Sequence, residues 1–400
     1  KVLISQAGRK GDPGTNGTNG DGFNQVRKSL LDNPLCHLFK TNKLVETSAP
    51  TGTDSDITFT RASTATYVDR YGIVKTASVD TIREEKDGFL IEQAGTNLVL
   101  YSEQFDNAAW TKTGSTAITP NATTSPDGTV NASKLDYTNT NDRLFDAIVS
   151  TTAASFTFSI WVKSTGADRS IRLRIRNSPT TTNFTITDFT ATSEWQRFSV
   201  TLASLAENLV CELISIAVDL DFYIWGAQLE QSPSATSYIP TVATPVTRLA
   251  DTALLPVLNN VVTKEFSIFG IVSNTSTATP GNKFIFRIPV SSGFFALFYN
   301  ANSPNQFNFR YDDNSTALQV GVIPTENIKY FAATLDGSNL KLNINGTESS
   351  ISKITDPSLL LADNLPFFGS TGVAVSSGNI KDFRIYDFVL NANEIEYLLP

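Results

Sequence analysis

The side chains of this 400-residue sequence that could do chemistry fall into a few groupings. Carboxylate pairs come first: Glu84/Glu85, Asp219/Asp221 and Asp312/Asp313. Glycoside hydrolysis needs two carboxyl groups about 5–9 Å apart. Adjacent residues on a strand face opposite ways, which disfavours Glu84/Glu85 and Asp312/Asp313. Asp219 and Asp221 share a face, yet with apolar residues on both sides an exposed strand end or a turn is the favoured reading. The sole histidine, His37, follows Cys36. In an extended chain the two side chains point apart, whereas a nucleophile and its base must lie within hydrogen-bond reach. Cys36, His37 and Cys211 do not form a spaced set of zinc ligands. Asp312, Asp313 and Asn314 suit either a Ca²⁺ loop or a plain turn. No catalytic residue, metal site or cofactor is assigned, and no enzyme is expected.

Binding side chains are better represented. In FTFSIWVKS, Phe156, Phe158, Ile160 and Val162 share one face of a strand, leaving Trp161 among polar residues on the other. Trp161 is therefore either a sugar-stacking surface or a cover for the sandwich edge. In SIRLRIRNS, Ile171, Leu173 and Ile175 face one way, so Arg172, Arg174 and Arg176 form a stripe. That stripe suits an anionic glycan or a solvated face paired with nearby Asp and Glu. Tyr299 and Tyr311 are further glycan-binding candidates at the ends of aromatic strands.

These residues sit on short strand-like runs bounded by Ser, Thr, Asn and Gly, the pattern of tandem β-sandwiches or jelly rolls. The fold class expected is all-β, tandem sandwiches behind an N-terminal collagen-like stalk. The expected division is 1–22 stalk, 23–55 trimerisation or linker segment, 56–250 jelly roll, and 251–400 second sandwich. Residues 233–248, with three prolines, suggest an extended strap between domains. NANEIEYLL is the best helix candidate, with Asn391 or Asn393 as its cap. Asn345-Gly346 reads as a hairpin turn.

The stalk expectation rests on Gly8, Gly11, Gly14, Gly17 and Gly20, one glycine in every three residues. Only glycine fits at a triple-helix axis, so three chains in register are implied; a flexible monomeric linker is the other possibility. Phe23 takes the next glycine slot, and Leu30 and Leu31 could clasp the three chains below it. The chain starts at Lys1 and holds no methionine, as expected of the C-terminal part of a longer protein. The net charge of −8 argues against nucleic acid, and no apolar run reaches the ~20 residues of a membrane span.

The series ITFTRASTATYVDRYGIV, IREEKDGFLIEQAGTNLVLYSEQFDNAAWTK, PDGTVNASKL, YIWGAQLEQSPSATSYIPT and VTRLAD resembles a β-sandwich module of tailed-bacteriophage and prophage structural proteins, especially tail fibres. It is similar to the carbohydrate-binding jelly rolls of glycan-degrading enzymes. KYFAATLDGSNLKLNINGT and GNIKDFRIYDFVLNANEIEYL resemble the closing strands and helix of a laminin-G or concanavalin A-like sandwich. The glycine triplets are similar to collagen-like inserts of phage fibres. Together these resemblances imply a homotrimeric virion fibre, made in the host cytoplasm, that adheres to a bacterial surface polysaccharide. A preceding N-terminal part would join it to other tail or baseplate proteins. The competing expectations are a structural virion decoration or head fibre and, further off, a glycan hydrolase.

Overall fold

The computed structural model describes residues 58–255 apart from 149–152, 180–181 and 205–206. It also describes Leu31, 36–38, 45–47, 265–273, 282–290, 293–300, 306–312, 317–323, 329–337, 339–352, 365–368 and 377–399. The glycine triplets and Leu30 lie outside the described residues. Nearly all of what is described is β-structure. The chain divides into two compact units: 60–86 with 92–251, and 252–400 with 1–59 and 87–91.

The first unit is a jelly-roll sandwich of two five-stranded sheets. One runs in the order Ala117–Thr123, Ala132–Tyr137, Leu220–Glu230, Ala154–Ser164, Gln196–Ser204; the other runs Phe184–Ala191, Arg169–Ser178, Asn208–Ile214, Arg143–Ile148, Thr111–Thr113. Period-2 alternation turns Phe156, Phe158, Ile160 and Val162 inward against Ile171, Leu173, Ile175 and Leu213, all fully buried. At about 1.5–3 kcal/mol for each large apolar side chain, this interior is the unit's main source of stability.

The jelly roll carries a third layer. The hairpin Ala65–Val68/Val74–Ala77 and the segment 231–241 cover the outer face of the first sheet. The proline-rich strap thus folds back on its own sandwich rather than bridging domains. Tyr238 packs on Trp225, and Val246–Arg248 pairs with Gly95–Asn97. This cover requires Gly226. At φ +64° its Cα faces Trp161 and Tyr238, and a β-carbon there would sit 3.2 and 3.3 Å from their rings.

The second unit is also a sandwich. Its larger sheet holds Val45–Thr47, Cys36–Leu38, Gly378–Tyr386, Glu265–Ser273, Lys329–Asp336, Asn339–Ile344 and Thr347–Ser352, with Gly88–Ile91 also on Gly378–Tyr386. The smaller runs Asn282–Val290, Gly293–Asn300, Gln306–Asp312, Ala317–Val322. Phenylalanines fill the interior: Phe266 meets Phe295 edge-on at 5.6 Å, and Phe367 meets Phe383 at 4.9 Å. Asn345 and Gly346 both have positive φ, as a tight hairpin turn needs. Helix α1, Ala392–Leu398, starts at Asn391, whose side chain accepts from Glu394 N while Glu394 reaches back to Asn391 N. Its Ile395 and Leu398 pack with Leu31, Phe269 and Tyr386.

Candidate functional site: an arginine-bearing sheet face

Of the two expected roles for Trp161, the structure places it in the second. It is 9% exposed and enclosed by Val74, Ala132, Trp225 and Tyr238. Trp161 therefore presents no face for a sugar. Tyr299 and Tyr311, at 3% and 6% exposure, point into the second sandwich: Tyr299 meets Phe307 and Tyr311 meets Phe295. The alternation in QFNFRYD orders this, because Phe307, Phe309 and Tyr311 form the core face and Asn308, Arg310 and Asp312 the outer one. On that outer face Arg287 lies 4.3 Å from the Phe294 ring centroid, Arg310 pairs with Asp312, and Gln319 donates to Asn308 at 2.7 Å. Leu31 is fully buried against its own chain, and its carbonyl accepts from the Tyr386 hydroxyl at 3.1 Å.

The arginine stripe lies where the alternation puts it, on the outer face of the jelly roll's second sheet. The strand registers define the face row by row. Arg176 lies between Phe184 and Val210, Arg174 between Ile186 and Glu212, and Arg172 between Asp188 and Ile214. Arg143 and Phe145 extend it beside Ile214 and Glu212. Arg172 grips Asp188 with two parallel bonds of 2.6 and 2.8 Å. This pairing raises the arginine's proton affinity and lowers that of the carboxylate. Three other guanidiniums converge on Glu212: Arg174 bonds it directly, Arg176 lies 3.4 Å away and Arg143 3.7 Å. Glu212 is only 1% exposed beneath them. Four arginines thus meet two carboxylates, leaving two positive charges in excess. Phe184 (47% exposed) and Ile186 (39%) stand beside them in open solvent.

Two of the three carboxylate pairs lie within the described residues. Asp219 is an exposed turn residue at φ +50°, and Asp221 is bound by Arg169 at 2.6 Å and Lys134 at 3.4 Å. Glu84 pairs with Arg70 at 3.5 Å, and Glu85 accepts from Val68 N. Asp313 and Asn314 lie outside the described residues. Among the described residues there is no group of three or more His, Cys, Asp or Glu that could hold a metal, and no helix long and apolar enough to cross a membrane. Cys211 is unpaired and buried, which pushes its thiol well above the usual range.

A second constellation escaped sequence reasoning. Arg61, Arg83, Glu92, Arg248 and Asp251 are all buried and meet in one network. Asp251 bridges Arg61 at 3.1 Å and Arg83 at 2.5 Å, and it also accepts from Glu92 N at 2.8 Å. Glu92 takes Arg83 at 2.7 Å and Arg248 at 3.5 Å. Burial works against the Glu92 charge, but Arg248, Arg83 and two bonds from Ser237 outweigh it and hold the carboxyl at about 2. The charges themselves were visible: TRAS, IREE and LIEQ each carry one member of the network and VTRLAD carries two. Their mutual contact joins positions up to 190 residues apart.

With this geometry in hand, comparison with known proteins bears on the C-terminal half. Residues 250–396 match the Laminin_G_3 family, the concanavalin A-like lectin/glucanases superfamily. The second unit is a concanavalin A-like, laminin-G-type sandwich. Comparison with curated proteins returns no match. Among solved structures, botulinum neurotoxin type C, whose cell entry depends on two ganglioside molecules, is 16% identical with a TM-score of 0.31. The match covers 37% of this chain and 39% of the toxin chain, well under half of each. The Ruminococcus gnavus IT-sialidase CBM40, bound to α2,3-sialyllactose, is 14% identical over 34% of this chain and 83% of that one, at 0.30. The CBM22-1 xylan-binding domain of Paenibacillus barcinonensis Xyn10C is 15% identical over 36% and 99%, at 0.29.

Proposed function

We propose that this chain is a non-enzymatic adhesin, the receptor-binding part of a homotrimeric bacteriophage tail fibre. It binds an acidic polysaccharide of the bacterial surface through the arginine-bearing face of the jelly roll. The observation that carries this is the charge imbalance on that face: Arg143, Arg172, Arg174 and Arg176 against Asp188 and Glu212, beside exposed Phe184, on a chain of net charge −8. Guanidiniums bind carboxylate and phosphate groups bidentately, and an exposed ring supplies apolar contact to a sugar. An open sheet face is shallow, so each site is weak. Three copies on one stalk raise the overall affinity by roughly 10²–10⁴-fold. The resemblance of residues 57–251 to phage fibre modules and the glycine triplets support the virion setting.

The test uses the whole chain and purified acidic capsular or lipopolysaccharide. Arg172→Ala with Arg143→Ala, both on half-buried side chains, is expected to weaken binding at least about tenfold, and raising salt to about 0.5 M to weaken it further. Binding to virion proteins with no binding to any acidic glycan would sink the adhesin reading. Release of reducing ends from the polysaccharide would sink its non-enzymatic part.

The stalk has its own expected result. Light scattering should give a trimer for residues 1–400 and a monomer once the glycine triplets, residues 1–22, are removed. A monomer in both cases removes the trimeric fibre from the proposal.

A further inference from the structure

The third layer covers the outer face of the jelly roll's first sheet only in part. Beneath it the row Ala132, Trp225, Trp161 is buried with Val74 and Tyr238. Two residues along each strand, on the same face, the next row is half-buried. Lys134 stands opposite Tyr223 and Tyr223 opposite Lys163, and Trp195 ends the row just before Gln196 of the edge strand. Val68 of the hairpin and Trp195 both pack on the buried cluster, so the open row begins where the cover ends.

Lys163 lies between the two aromatic residues of this row. Its Nζ is 5.5 Å from the Trp195 ring centroid and 5.6 Å from that of Tyr223. The indole is itself fixed, because Trp195 Nε1 donates to the Thr124 carbonyl at 3.1 Å. Two rings thus hold the ammonium in place, but they carry no net charge and offer its N–H groups no lone pair. Among the described residues Lys163 has no carboxylate in ion-pair reach and no hydrogen-bond acceptor, and the Tyr223 hydroxyl has no partner. The charges nearby are already matched. Lys134 takes Asp136 at 2.6 Å and Asp221 at 3.4 Å, and Arg169 takes Asp221 at 2.6 Å. Lys163 is the cation of this group that meets no carboxylate.

We propose that this row is a second binding site of the jelly roll, for an acidic sugar residue. The anionic group of the sugar, a carboxylate or a phosphate, accepts from Lys163 Nζ. The apolar face of its ring lies against Trp195, and the Tyr223 hydroxyl bonds a ring hydroxyl. The rings restrict the lysine before any ligand arrives, so less side-chain freedom is lost on binding. The ligand class is that of the proposed function, and the polysaccharide setting rests on that reading. The site shares no residue with the arginine face, which belongs to the other sheet.

Acrylamide quenching of tryptophan fluorescence in the whole chain tests this. Trp110, Trp161 and Trp225 are 2%, 9% and 1% exposed, so quenching in the folded protein reports on Trp195. The arginine face carries no tryptophan, so the readout is blind to whether that face binds. At constant ionic strength, about 10 mM sodium glucuronate or glucose 6-phosphate is expected to cut the quenching at least about twofold, as millimolar binding requires. Protection by glucuronate alone assigns a carboxylate, and by glucose 6-phosphate alone a phosphate; either supports the site. Glucose and sodium acetate are expected to give no protection. Lys163→Met keeps the apolar stem and removes the charge, and should abolish the protection with the melting temperature unchanged. Lys163→Arg, which restores a cation, should recover it and so separates lost charge from a displaced indole. Acetate protecting as well as the acidic sugars would leave a simple anion site and remove the sugar. No protection by either acidic sugar, equal protection by glucose, or protection that survives Lys163→Met overturns the proposal.

Discussion

Asp251→Ala is expected to destabilise the jelly-roll unit by about 3–5 kcal/mol. Asp251 is fully buried and is shared by Arg61 and Arg83. Its removal takes from Arg61 its carboxylate in the network, leaves Glu92 to serve both Arg83 and Arg248, and strips the Glu92 amide of its acceptor. Whether such a network adds net stability over an apolar core is a separate matter. The cost of breaking it arises because the remaining charges stay buried. A domain of ordinary stability, about 5–15 kcal/mol, would lose a large share of it. Urea denaturation followed by tryptophan fluorescence measures the change, since Trp110, Trp161, Trp195 and Trp225 all lie in this unit. Glu84→Ala, which breaks the exposed pair with Arg70, provides the contrast and should cost under about 1 kcal/mol. Equal effects from the two substitutions would show that the network is not holding the fold.

The second large effect concerns pH. Asp146 is 6% exposed on the inward side of its strand, level with Cys211, and its Oδ2 has no hydrogen-bond partner. Burial pushes its carboxyl up to about 6 from an ordinary value of 3.8. Below pH 3.8 both folded and unfolded chains hold the proton, so the group contributes nothing to pH dependence. Between 3.8 and 6 the unfolded chain releases its proton while the folded one keeps it. Stability therefore falls as pH rises through this window, by up to about 3 kcal/mol. Glu92 acts with the opposite sign: held at about 2, it adds stability above pH 4.5 that is lost as pH falls towards 2. Asp146→Asn is expected to flatten the difference in stability between pH 4 and pH 7, measured by denaturation at both. An unchanged slope in the variant would show that the Asp146 carboxyl is not raised in the folded protein.

Strand faces were legible because alternation is local. FTFSIWVKS and SIRLRIRNS each turn the expected residues inward, and the Asn391 cap and Asn345-Gly346 turn follow from chemistry within four residues. Alternation cannot tell whether the other face is open or covered. Trp161 and Arg174 occupy equivalent places by that rule, yet a hairpin and strap distant in sequence bury the first, while a carboxylate from another strand neutralises the second. For Tyr299 and Tyr311 the pattern assigned a side but not which side faced the partner sheet. The charged network was illegible for the same reason: each arginine looks like a surface residue until the fold brings its carboxylate to it.

The closing strand of the concanavalin A-like unit bears on how the protein is made. Cys36–Leu38, Gly88–Ile91 and Glu265–Ser273 all pair with Gly378–Tyr386, and Ile91 is joined to Gly378 across most of the chain. On a ribosome adding about 5–20 residues per second, the earliest of these strands waits on the order of half a minute for its partner. Until the closing strand arrives each has one edge unpaired, open to pairing with the same strands of neighbouring nascent chains. The jelly roll, complete by Asp251, can fold first. Its partner unit is a late, concentration-sensitive step, so yield during expression should depend on synthesis rate and chaperone supply more than on the stability of the finished fold.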